Sequence, residues 1–152
     1  DRSLQQKQGN TSISKYLAYP MWFSTRDMAR LGLLMLNKGK WKDTQVISTS
    51  WVDEMLKTRT TYQELNNNVP VFQGTGVYYG YGYMWWLWQN VEDKRYEGAY
   101  SAKGAMGQNI TVYPAIETVL AFKTKAAYQR RNSSDVRIKV AQKAAAIFDM
   151  QH

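Results

Sequence analysis

With 152 residues, six Trp and eleven Tyr, the chain has room for one domain and an aromatic load that disordered segments lack. It has no Cys, and its single His is the last residue, His152. Cysteine nucleophiles, thiolate zinc sites and disulfides are therefore excluded within it, and a Ser-His-Asp triad and a His-built metal site are disfavoured, so that any hydrolysis is expected to use Ser, Lys and Tyr chemistry. The net charge is +8, with seven basic residues from Lys123 to Lys143 (Lys123, Lys125, Arg130, Arg131, Arg137, Lys139, Lys143) against Asp135 alone. Such a stripe suits nucleic acid or anionic lipid, but no nucleic-acid motif accompanies it. The preferred reading is a solvated face of a strand end and a terminal helix, with no nucleic-acid partner. No apolar run approaches the length of a membrane helix, so no membrane span is expected.

In chain order, residues 1–15 read as loop. Ser24 or Thr25 caps a first helix, with Asp27 in capping-box position. Met28, Leu31, Leu34 and Met35 give its apolar face, and Leu33 and Leu36 extend that face almost all round, which predicts burial on several sides. Gly39 ends it. Arg26, Asp27 and Arg30 read as a structural ion pair. Lys40–Ile47 is a short connection, and Ser48 or Ser50 starts a second helix with Trp51, Met55 and Leu56 inward. Residues 59–76 are polar and read as the longest loop. Tyr79–Trp88 is an aromatic strand whose rings are either core or pocket wall. Residues 89–94 form a turn.

The run from Gly98 to Pro114 carries the most information. It reads as a strand, a glycine-rich turn and a second strand, in which Thr111 and Tyr113 alternate with Ile110 and Val112. Gly104 and Gly107 fit either an ordinary hairpin bend or a close backbone approach to a bound atom, where free amides could hold an oxyanion. Pro114–Glu117 makes another turn. Thr118–Phe122 is a continuous apolar run suited to a central strand. Val136, Val140, Ala144 and Ile147 form the stripe of a final helix that begins near Ser133 or Ser134. The pattern predicts an α+β fold: two N-terminal helices, three antiparallel strands near 78–88, 97–103 and 108–124, and a helix over 134–149.

Four blocks in this order, Ser24–Trp41, Val46–Met55, Tyr79–Trp86 and Gly98–Pro114, resemble the C-terminal part of the serine β-lactamase-like hydrolases. That superfamily spans class C β-lactamases, DD-peptidases, family VIII esterases and 6-aminohexanoate-oligomer hydrolases. The resemblance covers roughly residues 16–124 and leans toward the esterase and amide-hydrolase branch, because Gly104-Ala-Met-Gly-Gln108 stands where the lactamases carry Lys-Thr-Gly. It implies a β-lactamase/penicillin-binding-protein-like fold, an antiparallel sheet with flanking helices, and a periplasmic or secreted protein. It also implies ester or amide cleavage, of β-lactam or peptide-like bonds included, through an acyl-enzyme, with no cofactor or metal.

The family's nucleophile is the Ser of a Ser-x-x-Lys motif, assisted by that Lys and by the Tyr of a Tyr-x-Asn-like motif, both upstream of these blocks. No Tyr here is followed two places later by Asn, and the one Ser-x-x-Lys match, Ser12–Lys15, sits in a polar, helix-poor lead. That match is discounted. The chain, which begins with Asp, is accordingly expected to be a fragment of one domain, partnered by its missing N-terminal part and inactive alone. Aligning the triad glycine with Gly104 makes the backbone N–H of Ala105 the second oxyanion donor. Ala102 and Lys103 then take the first two triad positions. Ala102 departs from the expected cationic or polar residue, which weakens β-lactam carboxylate recognition, and alternation turns Lys103 to the other face. Gln108 is a rim amide, and Tyr81 and Trp86 are candidate walls for a small ester or amide substrate. Two other classes stay open: a penicillin-recognition-like sensor without turnover, and a basic surface-binding domain.

Overall fold

The computed structural model describes residues 21–68, 77–104, 107–124, 139–140, 142–144 and 146–147, and the last three groups are helical. The expected N-terminal loop with Ser12 and Lys15, the start of the final helix and Ala105 lie outside the described residues, as do the basic residues Lys125, Arg130, Arg131 and Arg137. Among the described residues no helix is long and apolar enough to cross a membrane.

Helix α1 (Thr25–Leu36) begins at Ser24 with the expected capping box: the Asp27 amide donates to the Ser24 hydroxyl and the Ser24 amide to the Asp27 carboxylate. Those bonds from Ser24, more than the ion pair with Arg30, hold the Asp27 carboxyl below its usual range. That pair, 2.9 Å between Nη1 and Oδ1, lies on the surface. The helix ends at Asn37, two residues before Gly39. Burial on several sides is not what the fold delivers. Met28, Gly32 and Met35 face the core at spacings of four and three, while Leu33 is 41% exposed. One apolar stripe is all that a helix lying across a single sheet can bury.

The connection after α1 contains a small hairpin, β1 (Lys40–Trp41) and β2 (Thr44–Gln45), which composition alone did not reveal. Ser48 caps α2 (Thr49–Met55). Val52 is fully buried there, with Met55 and Leu56 half-buried beside it. Trp51, expected inward, is 50% exposed. One helical step of about 100° from Val52 carries it out of the core to stack on Tyr83, ring centroids 5.9 Å apart. The expected long loop also contains a helix, α3 (Tyr62–Asn68). Its start is a Thr61-x-x-Glu64 box, in which the Thr61 amide donates to Glu64 Oε2 at 2.7 Å.

The sheet has five strands among the described residues, where three were expected. They are β3 (Tyr78–Tyr81), β4 (Trp86–Gln89), β5 (Tyr100–Lys103), β6 (Asn109–Tyr113) and β7 (Thr118–Phe122), all antiparallel and in sequence order. The aromatic stretch is two strands because Gly82–Trp85 reverses the chain, the Gly82 amide donating to the Trp85 carbonyl at 2.9 Å. Likewise a 3-10 turn at Pro114–Ile116 separates β6 from β7. The expectation of a central Thr118–Phe122 strand is also corrected: β7 ends the strand order among the described residues. Its apolar run reflects two covered faces. Val119 and Ala121 pack toward α1, whereas Leu120 packs with Tyr79, Trp88 and Tyr113 on the opposite side.

Pairing sets the two faces of the sheet. Leu87, Tyr100, Val112 and Val119 are successive cross-strand partners, as are Ala102, Ile110 and Ala121, and these face α1 with Met28, Met35 and Val52. Tyr79, Trp88 and Tyr113 gather on the other face with Tyr96 and Ala99. Gly32 is the point of closest approach between helix and sheet. A Cβ there would overlap the Val119 side chain and lie 2.9 Å from Ile110 Cγ2.

Two outcomes follow for stability. Gly32→Ala, which in an exposed helix gains about 1 kcal/mol, should instead destabilise by about 1–3 kcal/mol through overpacking, seen as a lower urea midpoint. A raised midpoint would show that helix and sheet can part without cost. Burial also pushes the Tyr100 and Tyr113 hydroxyls well above the ordinary value of 10.0, with neighbouring Tyr96 and Tyr79 adding to the effect at Tyr113. The folded state thus favours the neutral phenols. Their contribution to stability is complete below about pH 10 and declines as pH rises beyond it, because only the unfolded chain then ionises. Alkaline titration at 295 nm should show these two ionising together with loss of near-UV circular dichroism. Titration of all eleven tyrosines near pH 10 with the fold intact would contradict it.

Candidate active site

The β5–β6 hairpin builds the region that the sequence singles out. Its ladder pairs Tyr100 with Val112, Ser101 with Thr111, Ala102 with Ile110 and Lys103 with Asn109. The Gly104 amide then donates to the Gln108 carbonyl at 2.8 Å, and the Gly107 amide to the Gly104 carbonyl at 3.2 Å. Gly107 has φ +87°, the left-handed conformation that a side chain disfavours. Gly104 is glycine for a different reason. A Cβ there would lie 3.0 Å from Gln108 Cδ and 3.1 Å from Gln108 Cβ, so the Gln108 side chain lies directly over the Gly104 backbone. Ala105, the expected oxyanion donor, falls in the two-residue gap between these glycines that lies outside the described residues.

Alternation along β5 sends the neighbouring candidates to opposite faces. Ala102 packs into the cluster beneath α1, among Ile110, Val112 and Ala121. Lys103 goes the other way. Its Nζ lies 3.3 Å from the centroid of the Tyr79 ring and 5.5 Å from that of Trp86, a cation held against ring faces. Tyr81 meets Trp86 edge to face at 4.9 Å. Three of the expected wall and binding residues, Tyr81, Trp86 and Lys103, are thus brought together on one face. Gly104 and Gln108 shape the turn beside them, and Ala102 lies on the other side of the strand.

A hydroxyl network missed at the sequence level runs along the same face. Trp88 Nε1 donates to Ser101 Oγ at 2.9 Å, Ser101 Oγ and Thr111 Oγ1 share a hydrogen bond of 2.8 Å, and Asn109 Nδ2 donates to Thr111 Oγ1 at 2.8 Å. Ser101, Thr111 and Asn109 are all buried, and Asn109 Oδ1 has no hydrogen-bond partner among the described residues. The only signal in the sequence was polar residues inside an otherwise apolar strand pair. Their burial settles what Ser101 does. A hydroxyl with no exposed surface that already accepts from an indole fixes the register of β4, β5 and β6, and is closed to attack on a substrate.

Regular pairing between β4 and β5 stops early. β4 pairs with β5 only at Leu87–Tyr100 and Trp86–Ser101, so β5 continues through Ala102 and Lys103 past the start of β4. The Gly82–Trp85 turn occupies the neighbouring position. It is tied to α2 by the Tyr83 amide donating to the Met55 carbonyl at 2.9 Å, while the Arg59 and Thr60 amides donate to the Tyr81 carbonyl. An aromatic wall, a buried ammonium and a glycine turn therefore share one end of the sheet. Such a surface can bind and orient an uncharged or anionic group; among the described residues it holds no accessible nucleophile.

No family model matches this chain, and neither does any curated protein. Among solved structures it is similar to a protein from Bacillus anthracis provisionally assigned as a 6-aminohexanoate-dimer hydrolase, with a TM-score of 0.54 at 21% identity. The likeness covers 84% of this chain but 29% of that protein, so the chain spans less than a third of its neighbour's length. At this identity the likeness establishes architecture. The chain has a mixed helix and antiparallel-sheet fold of the β-lactamase-like kind, shared with this neighbour.

Proposed function

We propose that this chain is the C-terminal part of a serine hydrolase that cleaves an ester or amide bond, β-lactam- or peptide-like bonds included, through an acyl-enzyme. The observation that carries this reading is the meeting of Tyr81, Trp86 and Lys103 beside Gly104, in a fold shared with a protein provisionally assigned as a 6-aminohexanoate-dimer hydrolase. The nucleophilic Ser and its assisting Lys come from sequence upstream of these blocks. In this assignment the Ala105 amide donates to the developing oxyanion, and Gly104 makes room for the Gln108 side chain beside it. Tyr81 and Trp86 form the wall, with Gln108 at the rim. Lys103 supplies positive charge behind the aromatic rings. The contribution of this chain is electrostatic and positional: a preorganised amide costs no reorganisation when charge develops.

The test uses the complete protein beside this chain. A fluorophosphonate probe should label the complete protein at a serine upstream and leave the 152-residue chain unlabelled. Labelling of Ser12 in the chain alone would overturn the upstream placement. Ala105→Pro in the complete protein removes the amide and should lower p-nitrophenyl ester turnover by about 10²–10³-fold. Unchanged turnover in a folded variant would remove Ala105 from the site. Labelling of the complete protein without turnover of any ester or amide would identify the sensor class in place of the hydrolase.

A further inference from the structure

We draw no further inference here: the strongest candidate, the outer edge of β7, an uncharged strand that ends the strand order among the described residues, carries nothing because nothing in the structure shows what covers it.

Discussion

The position of every other element follows from the close packing of α1 on β6 and β7. Gly32 lets the helix come down until Val119 and Ile110 touch its backbone, and Met28 and Met35 fill the space one turn to either side. The consequence reaches across the sheet. Once one face is committed to a close-packed apolar contact, strict alternation sends Ser101, Lys103, Asn109 and Thr111 to the other face together. A slip of one residue in β5 would exchange Ala102 for Lys103 under the helix, placing a charge where only methyl groups fit.

The opposite face meets a different constraint. It holds large rings and short polar side chains in one layer, so each buried polar atom needs a partner that the rings do not supply. The Trp88–Ser101–Thr111–Asn109 chain meets most of that need and ties three strands together with side-chain bonds. Lys103 is accommodated by ring faces, whose negative quadrupoles offset part of the cost of burying an ammonium. The result is a hydrogen-bonded polar layer buried beneath the aromatic rings.

The candidate site lies where regular pairing stops. β4 and β5 part after Trp86–Ser101, and the turns at Gly82–Trp85 and Gly104–Gly107 fill the end of the sheet. The Gly82–Trp85 turn is pinned by backbone hydrogen bonds to its own strand and to α2, which hold its irregular backbone although it leaves the ladder. The left-handed Met84 and Gly107 occur at this same end.

The sequence by itself determined the α+β class, the Ser24 capping box, the β5–β6 hairpin and the opposite facing of Ala102 and Lys103, because caps, glycine turns and period-two alternation are local features. Thr61-x-x-Glu64 was equally local and could have marked α3. Other features depended on partners distant in sequence. That Leu33 and Trp51 face solvent follows from how many surfaces α1 and α2 meet, which no helical periodicity encodes. The place of β7 at the end of the strand order was hidden because an apolar run reports two covered faces and says nothing of its edges. The meeting of Tyr81, Trp86 and Lys103 arises from strand pairing across about twenty residues, and the inert, hydrogen-bonded state of Ser101 from its burial beneath Trp88. Residue types and local spacing carry conformational preference; which side chains share a face, and which hydroxyls are closed to chemistry, is settled only when the strands register against one another and α1 occupies one side.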